Sequence, residues 1–386
     1  MIYHFLPEWE VFSKYSGGAV AHIVATMMRF DSSSAVVCQS ADNTCGYGSD
    51  RILVIPGLRE YARIRGRRLL PVRLTGVLFR HIFQPLLSRL ESGDIVWCHS
   101  QPSFCAVLER SIHARDAKLI YHAHSSLAPY FERSRFHLFS ADAVIFVSEA
   151  MRQEALQFLP QLKNTCVIYN GASEDLFYPL PSGSVRNDIL PIILYVGRLD
   201  PVKGVHVLMD AMRILQKRNV NALCKVVGTS FSGGSTVTAY VRSLIRSSPP
   251  NVQFVGYLPA EQLAREYRAA DILCCPSIYQ EPFGIVNIEA MASGIPVVAT
   301  RVGGIPEIAA DGGVLLVDSE SAVELSDALQ RLIEDKNLRM KVAAEGLGSF
   351  QRRFTWTGIH RQYQELVDRL CATTTEATAF TIRREA

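Results

Sequence analysis

The sequence predicts an α/β protein of two domains, each built on a doubly wound parallel sheet, that face each other across a central cleft. The chain has 386 residues, which is more than one hydrophobic core usually supports. Strand-like apolar runs alternate with helical stretches in both halves, and this alternation is typical of parallel sheets. Residues 179–190 have the proline, serine and glycine content of a linker. We therefore expect domains at residues 1–180 and 181–355.

Composition and charge narrow the class of protein. Hydrophobic residues make up 48% of the chain and charged residues 20%, as in globular proteins. The net charge of +3 is too small to indicate nucleic acid as a partner. The nine cysteines form no C-x-x-C pair, which argues against zinc and disulfides and for a reducing compartment. We find no secretory signal and no apolar run of about 18 residues that could span a membrane, so we expect a cytoplasmic protein.

The N-terminal half contains seven strand-like stretches, at residues 2–6, 35–39, 52–55, 94–99, 117–124, 142–148 and 166–172. Gly17 and Gly18 follow the first stretch and open a helix over residues 19–29. Glycines in this position let the backbone approach a phosphate closely. An ordinary flexible loop is the alternative.

His124 ends the fifth of these strands, at the carboxyl edge where open parallel sheets bind ligands. His122 lies two residues earlier and therefore shares the same face of the strand. The alternative is a structural histidine that makes hydrogen bonds. A metal site would require further ligands, and we can place none from the sequence.

Residues 58–87 form a basic and amphipathic segment. They hold one glutamate, Glu60, and seven arginines, at positions 59, 63, 65, 67, 68, 73 and 80. Apolar residues are interleaved with these charges, which is typical of a surface that contacts an anionic membrane or an anionic acceptor. The alternative is a solvated helix face followed by an arginine-rich loop.

The C-terminal half restarts the pattern, with strand-like stretches at residues 191–197, 223–227, 252–258, 271–276, 295–300 and 314–317. Gly197 ends the first of these, and Arg198 and Lys203 follow in the next loop. Two cations at the carboxyl edge of a strand are suited to clamp a diphosphate. A surface loop is the alternative.

Residues 280–300 carry the most specific pattern in the chain. Glu281 precedes a helix whose first free backbone N–H groups, at Ile285 and Val286, attract anions. Glu289 lies about two turns along that helix. Two carboxylates and a helix N-terminus suit a ligand that carries both phosphates and hydroxyls. If the spacing of the two glutamates is considered alone, the alternative to a ligand site is a capped helix with two solvated carboxylates.

Several other enzyme classes lack their motifs in this sequence. No two aspartates are two residues apart, and there is no G-x-x-x-x-G-K-[ST] loop of a kinase or ATPase. A G-x-G-x-x-G opening the first βαβ unit is also missing, which counts against a dinucleotide oxidoreductase. The hydrolase motif G-x-S-x-G is absent as well.

The motifs that are present resemble the retaining glycosyltransferases of family 4, group 1, whose GT-B fold consists of two Rossmann-like domains. In the C-terminal half the resemblance rests on Val196-Gly197-Arg198, Lys203-Gly204, Val255-Gly256-Tyr257, Glu281 to Glu289, Gly294 to Ala299 and Gly303-Gly304. In the N-terminal half it rests on Gly17-Gly18, His124, Ser148 and Asn170-Gly171. It implies an acceptor-side domain at residues 1–180 and a donor-binding domain at 181–355. The C-terminal helix, 356–386, would pack back on the acceptor-side domain.

The resemblance also implies roles for individual residues. Arg198 and Lys203 would hold the donor diphosphate, while Glu281 would hold a hydroxyl of the transferred sugar. His124 would lie near the reacting sugar, and Glu289 would bind the ribose hydroxyls. Backbone groups would read the base. The residues expected to bind the donor are Gly17, Gly18, Gly197, Tyr257, Leu258, Phe283, Gly284, Ile285, Val286 and Glu289.

The implied activity is transfer of a sugar, with retention, from a nucleoside-diphosphate sugar to a hydroxyl of a saccharide or lipid-linked acceptor. We expect this in cell-envelope or polysaccharide synthesis, with no metal or other cofactor. The expected location is the cytoplasm or, through residues 58–87, the inner face of the membrane. The chain departs from the family near Gly228, where Gly228-Thr229-Ser230-Phe231 and a segment rich in serine and glycine stand in place of the usual Gly-x-Gly. The alternatives are an epimerase or hydrolase of the same fold and an inactive sugar-nucleotide-binding structural protein.

Overall fold

The computed structural model describes residues 1–13, 18–42, 46–60, 80–127, 140–181, 190–230 and 238–382. Gly17 and residues 61–79 of the predicted basic segment lie outside these ranges. The chain forms two compact units, Met1–Ile168 together with the chain from His360 onward, and Tyr169–Ile359. Each unit has its own parallel sheet.

The N-terminal unit contains a seven-stranded sheet in the order β3-β2-β1-β4-β5-β6-β7. All neighbouring strands are parallel. The strands are β1 (Ile2–Phe5), β2 (Ser34–Cys38), β3 (Ile52–Val54), β4 (Ile95–His99), β5 (Lys118–Ala123), β6 (Ala143–Phe146) and β7 (Thr165–Val167). The last is shorter than the predicted strand at 166–172. The chain order reverses between β1 and β4, and ligands bind at such switch points.

The helices of this unit cover the sheet. Among the residues that the structure describes, they include α1 (Ala19–Phe30), α2 (Gln84–Leu87), α3 (Pro102–His113) and α4 (Glu149–Phe158), with short 3₁₀ turns at Ser49–Arg51 and Arg80–Phe83. Helix α1 buries Val20, Val24 and Met28 along one stripe, because these residues recur at four-residue spacing. Ser148 precedes helix α4 and caps it, because its hydroxyl accepts a hydrogen bond from the Met151 N–H at 3.2 Å.

The C-terminal unit repeats the arrangement with six parallel strands, in the order β10-β9-β8-β11-β12-β13. They are β8 (Ile192–Val196), β9 (Leu223–Val227), β10 (Val252–Gly256), β11 (Ile272–Cys275), β12 (Val297–Thr300) and β13 (Val314–Val317). Counted from its own first strand, this order is 3-2-1-4-5-6, as in a Rossmann sheet. Its switch point therefore lies between β8 and β11.

The helices that follow these strands are α5 (Val205–Lys217), α6 (Ala239–Ser247), α7 (Ala260–Ala269), α8 (Ile285–Ala292), α9 (Ile305–Ala309), α10 (Ala322–Glu334), α11 (Lys336–Arg353) and α12 (Trp356–Ile382). A 3₁₀ turn at Pro201–Lys203 precedes α5. Helix α5 buries Leu208, Met212 and Leu215 in the core of the unit. None of the described helices is both long and apolar enough to cross a membrane.

Most of helix α12 belongs to the N-terminal unit, since that unit includes the chain from His360 onward. Tyr363 packs edge-on against Trp97 with ring centroids 5.3 Å apart, and against His122 at 5.8 Å. Trp97 and His122 lie on β4 and β5, so this part of α12 covers the centre of the seven-stranded sheet.

Candidate active site

An ion pair lies at the switch point of the C-terminal sheet. Lys203 follows β8 and Glu281 follows β11, and the Lys203 Nζ is 2.9 Å from both carboxylate oxygens of Glu281. The side chains of Lys203 and Glu281 are only 17% and 11% exposed. Because β8 lies beside β11, the predicted site residues Lys203 and Glu281 meet although they are 78 positions apart in the chain.

A glycine fixes the close approach of these two loops. Gly204 has a φ of +70°, and a Cβ at this position would lie 1.9 Å from the Pro276 carbonyl oxygen. Only glycine adopts this backbone conformation without strain and leaves room for the carbonyl. The loop that carries Lys203 is therefore pressed against the end of β11.

Glu281 has two further hydrogen-bond donors besides Lys203. The Ser277 hydroxyl donates to it at 2.9 Å and the Tyr279 hydroxyl at 3.0 Å. Burial acts to lower the pKa of Lys203, but the Glu281 carboxylate and Tyr279 outweigh burial and raise it. Lys203 is therefore charged at neutral pH. Sequence reasoning missed Ser277 and Tyr279, although they alternate with Glu281 directly after β11.

The loop after β12 supports the backbone of Glu281. Gly303 has a φ of +53°, and a Cβ there would lie 2.1 Å from the Glu281 carbonyl oxygen. The Gly304 N–H donates to the same oxygen at 2.8 Å. The predicted Gly303-Gly304 motif thus has a packing role at the site.

Arg198 lies in the same loop as Lys203 but differs from it in its surroundings. Its side chain is exposed, and within the described chain its guanidinium makes no hydrogen bond or ion pair. Its backbone oxygen accepts a hydrogen bond from the Tyr195 hydroxyl at 2.8 Å. The loop is therefore held by its backbone, which leaves the guanidinium available for an anionic ligand.

The neighbouring edge of the sheet depends on Gly228. A Cβ at Gly228, which has a φ of +139°, would lie 1.9 Å from the Gly197 carbonyl oxygen. The Gly228 N–H donates to the Gly256 carbonyl at 2.8 Å, so the ends of β8, β9 and β10 meet here. Tyr257 and Leu258, the predicted base-reading residues, follow directly; Tyr257 is exposed and Leu258 is partly buried.

The N-terminus of α8 has the geometry that the sequence predicted. Gly284 precedes the helix with a φ of +97°, and a Cβ there would lie 2.6 Å from the Asn287 Nδ2. The Asn287 N–H donates to the Gly284 carbonyl, while the N–H groups of Ile285 and Val286 make no hydrogen bond within the described chain. Phe283 beneath them is 2% exposed. The first turn can therefore donate to an anion.

Glu289, two turns along α8, accepts a hydrogen bond from the Tyr267 hydroxyl at 2.7 Å. Burial raises the pKa of Glu289 to about 7, and the Tyr267 hydrogen bond acts in the opposite direction. Near neutral pH the carboxyl group is thus partly protonated. Tyr267 comes from α7 and has no sequence signal that connects it with Glu289.

In the N-terminal unit, His124 is the end of a row of three hydrogen-bonded histidines. The His124 Nε2 lies 3.0 Å from the His99 Nδ1, and the His99 Nε2 lies 3.1 Å from the His4 Nδ1. Burial lowers the pKa of His124 to about 3 and that of His4 to about 4. Burial also places the pKa of His99 well below its usual range. The three rings are therefore neutral. No pattern in the sequence indicates that His4 or His99 belongs to this row.

The backbone of His124 is held by Ser100. Its N–H donates to the Ser100 hydroxyl at 3.0 Å, and the Ser100 N–H donates to the His122 carbonyl at 2.8 Å. Ser100 has a φ of +52°, which is uncommon for a residue other than glycine. Such strain is tolerated where the surrounding contacts fix the chain.

Gly18 lies at the N-terminus of α1, as predicted, but a carboxylate of the chain already occupies that end. The Glu10 Oε2 accepts a hydrogen bond from the Ala21 N–H at 3.3 Å. A Cβ at Gly18 would lie 2.0 Å from the Glu10 Oε1. Burial raises the pKa of Glu10, while the N–H groups of Ala21 and Gly18 act to lower it. Any anion that binds here meets Glu10.

The two Rossmann-like sheets define the class of protein by its fold, which is the GT-B fold. The structure of sucrose-phosphate synthase from Thermosynechococcus elongatus matches this one with a TM-score of 0.76 and 23% sequence identity. The match covers 96% of this chain and 99% of that protein's chain. Anabaena Alr3699/HepE in complex with UDP-glucose matches over 96% and 100%, with a TM-score of 0.74 and 21% identity. The predicted fold class is confirmed.

Sequence comparison gives the family. The model for "Glycosyltransferase Family 4" matches residues 17–176 and that for "Glycosyl transferases group 1" matches residues 182–347. The chain therefore belongs to the group 1 glycosyltransferases of family 4, as the sequence motifs predicted. Alpha-maltose-1-phosphate synthase of Mycobacterium tuberculosis is 32% identical over 250 residues, which cover 60% of this chain and 64% of that protein. The match thus spans just under two thirds of that relative's length.

Proposed function

We propose that the protein is a retaining glycosyltransferase that moves a sugar from a nucleoside-diphosphate sugar to a hydroxyl group of an acceptor. The observation that carries this proposal is the Lys203–Glu281 pair beside the first turn of α8. One cation, one carboxylate and the two N–H groups of that turn thus lie at the switch point of a Rossmann sheet. The bound UDP-glucose of HepE, which shares the fold, favours a donor of this chemical class.

The donor diphosphate would lie against positive groups on two elements. Arg198 is exposed, and Lys203 can exchange Glu281 for a phosphate oxygen, because charge-assisted bonds to both are of similar strength. The Ile285 and Val286 N–H groups add the positive end of α8. When Lys203 moves to the phosphate, the Glu281 carboxylate is free to accept hydrogen bonds from a sugar hydroxyl.

The nucleoside would extend along the same edge. Glu289 would accept hydrogen bonds from the ribose hydroxyls in its ionised form, with Tyr267 holding the carboxyl group in place. Backbone groups at Tyr257 and Leu258, beside Gly228, would read the base. Recognition through backbone groups is compatible with uracil, guanine or adenine.

The chemistry would depend on stabilising the leaving group. As the bond to the anomeric carbon breaks, negative charge develops on the diphosphate, and Arg198, Lys203 and the α8 N-terminus would stabilise it. The acceptor hydroxyl would attack from the same face, and a departing phosphate oxygen would take its proton. This route retains the anomeric configuration and asks for no metal or cofactor in the donor site.

On the acceptor side, His124 would contact the reacting sugar, and the acceptor would be a saccharide or a lipid-linked saccharide of cell-envelope or polysaccharide synthesis. Residues 58–87 would meet an anionic acceptor or the inner face of the membrane. Liposomes with and without anionic lipid, sedimented with the protein at low salt, test the membrane contact; absence of binding removes it.

Thermal unfolding with a panel of UDP-, GDP- and ADP-sugars tests which of them the protein binds, because a ligand that binds the folded state raises the midpoint temperature of unfolding. The stabilising donor is then assayed for turnover with and without a saccharide acceptor. Transfer requires the acceptor, whereas a hydrolase or epimerase turns over without it. The anomeric configuration of the product, measured by NMR, tests retention. If Arg198→Ala and Glu281→Ala both left turnover unchanged, the site would be wrong.

A further inference from the structure

One aromatic ring of the N-terminal unit is exposed at the carboxyl edge of the sheet. Trp9 follows β1 in a turn that the Glu10 N–H closes on the Pro7 carbonyl at 3.0 Å. Trp9 is 52% exposed, and its indole makes no hydrogen bond or ring contact within the described chain. Tryptophan is highly buried on average. An exposed indole beside the switch point of a parallel sheet, where ligands bind, is therefore a candidate ligand contact.

The turn that carries Trp9 is anchored on both sides of the ring. Before it, the Glu8 carbonyl accepts a hydrogen bond from the Arg59 Nε at 3.1 Å. After it, the Glu10 carboxylate accepts a hydrogen bond from the Ala21 N–H at 3.3 Å. A ring on an anchored turn loses little conformational freedom when a ligand binds, so more of the contact energy contributes to affinity.

A carboxylate lies in the same turn as the indole. The Glu8 Oε2 accepts a hydrogen bond from the Gln101 side-chain amide, and the Gln101 Oε1 accepts one from the Ser103 hydroxyl at 3.1 Å. The second carboxylate oxygen of Glu8 accepts no hydrogen bond from another residue within the described chain. Gln101 directly follows Ser100, whose hydroxyl holds the backbone of His124. The Glu8 carboxylate is thus tied to the loop that supports His124.

An aromatic face with a carboxylate beside it suits a sugar ring. One face of a pyranose carries mostly C–H bonds, which pack on an indole, while the hydroxyls at its rim donate hydrogen bonds to a carboxylate. A membrane surface is the alternative for an exposed tryptophan. The Glu8 carboxylate disfavours that alternative, because anionic lipid repels negative charge. Repulsion disfavours a phosphate group at this place for the same reason.

We propose that Trp9 and Glu8 bind a pyranose ring of the acceptor, with the indole stacked on its C–H face and the carboxylate accepting hydrogen bonds from its hydroxyls. This subsite rests on the transfer function proposed above and makes the part of the acceptor that it holds a saccharide. Trp9 contributes to acceptor affinity and takes no part in donor binding.

Fluorescence tests the stacking without turnover. The chain has three tryptophans, and Trp97 and Trp356 are only 1% and 5% exposed, so acrylamide quenching reports mainly on Trp9. The full chain is titrated with the methyl pyranosides of glucose, galactose and mannose and with disaccharides of the same sugars. At least one of them should reduce the quenching saturably, whereas the open-chain polyol sorbitol should not. In Trp9→Ala, the residual quenching should be weak and independent of saccharide.

Calorimetric titration separates binding from folding. Trp9→Ala should bind the protecting saccharide about 10- to 100-fold more weakly, as is typical when an aromatic anchor is removed, and bind the donor as tightly as the wild type. Trp9→Phe keeps an aromatic face and should recover most of the saccharide affinity. Phe158→Ala removes another exposed ring of the unit, at the C-terminal end of α4, and should change neither affinity. With the protecting saccharide as acceptor, Trp9→Ala should raise the acceptor KM but not the donor KM.

Four results would overturn the Trp9 subsite. They are a panel in which no saccharide protects the indole, equal protection by sorbitol, a Trp9→Ala variant that binds the saccharide as tightly as the wild type, and a protecting saccharide that neither accepts sugar nor competes with the acceptor. Emission that shifts with anionic vesicles and not with saccharide would identify a membrane contact and exclude the subsite as well.

Failure of the subsite is distinguishable from failure of the proposed function. A nucleotide sugar that stabilises the protein and is turned over, with Trp9 unprotected by saccharide, leaves the transferase standing and removes the subsite. Saccharide protection of Trp9 without binding of any nucleotide sugar removes the transferase, and with it the role of the bound saccharide as acceptor.

Discussion

The two sheets share one strand order but carry opposite chemistry at their carboxyl edges. In the C-terminal unit the edge holds an ion pair, Lys203 and Glu281, and the exposed Arg198. In the N-terminal unit the edge holds neutral histidines, whose pKa values burial lowers. A repeated fold therefore does not repeat a site. Charged side chains lie at the switch point of one sheet, and neutral imidazole rings lie at that of the other.

The largest effect should follow from removing the cation of the ion pair. Lys203→Ala leaves the mostly buried Glu281 carboxylate unpaired, and breaking a buried pair in this way costs about 3–5 kcal/mol. Ser277 and Tyr279 still donate to Glu281, so we expect the lower end of that range. Loss of a group that stabilises the leaving charge should also lower kcat about 10²- to 10³-fold. Urea unfolding and steady-state kinetics measure the two effects.

The control for this variant is Lys203→Ala combined with Glu281→Gln, in which no buried charge is left unpaired. The double variant should recover stability but not turnover. If the single variant unfolded at the same urea concentration as the wild type, the ion pair would not be the charged centre of the C-terminal edge.

Arg198→Ala should separate activity from stability. The side chain is exposed and has no partner within the described chain, so the free energy of unfolding should change by no more than about 0.5 kcal/mol. A hydrogen bond to a charged group is worth about 1.5–3 kcal/mol, so kcat/KM for the donor should fall roughly 10- to 100-fold. Arg218→Ala, which removes an exposed pair with Asp327, is the matched control. A parallel fall in stability would contradict the assignment.

Donor binding should depend on pH through Glu289. Its pKa of about 7 means that the ionised acceptor form is lost as the pH falls below neutrality. Donor affinity should then drop about tenfold for each pH unit below that value. Calorimetric titration of the donor between acid and alkaline pH measures this profile. Tyr267→Phe removes a hydrogen bond that lowers the pKa of Glu289, so the pH midpoint of donor binding should move upward. Glu289→Gln should make donor affinity independent of pH over this range.

The same carboxyl group also links stability to pH. Its pKa in the folded state is above that in the unfolded chain, so the folded state binds the proton more tightly. This contribution to stability is fully present below the unfolded-state pKa and is lost as the pH rises through the folded-state value of about 7. Urea midpoints for wild type and Glu289→Gln over this range should converge at acid pH. Divergence at acid pH would contradict the raised pKa.

The smallest effect should come from Glu10, a carboxylate that lies at the N-terminus of α1. A negative charge at a helix N-terminus stabilises the folded state by about 0.3–1 kcal/mol, because it interacts with the positive end of the helix dipole. Glu10→Gln should therefore lower the free energy of unfolding by that amount and, if the donor phosphate lies at Gly18, tighten donor binding about two- to fivefold. Glu91→Gln, an exposed change elsewhere in the unit, is the control. Unchanged donor affinity would remove Gly18 from the phosphate site.

Local sequence patterns predicted the strands, their edges and the charged residues of the C-terminal unit. They did not predict that Lys203 and Glu281 are partners, because that contact depends on β8 lying beside β11. Tyr267 was missed for the same reason, since α7 meets α8 only in the folded unit. The row from His4 to His124 spans β1, β4 and β5, and no spacing in the chain indicates it. A local sequence pattern identifies side chains that are suited to bind a ligand, whereas the order of strands in the sheet decides which of these side chains meet.

The glycines at 204, 228 and 303 have a consequence for the engineering of this enzyme. At each of them a first side-chain atom would collide with a neighbouring carbonyl oxygen, so the main chain itself fixes the spacing of the loops. In a saturation library selected for turnover, these three codons should return as glycine alone. The neighbouring exposed position Val202 should accept many residues. Donor preference is thus better altered by varying side chains on this frame than by redesigning the loops.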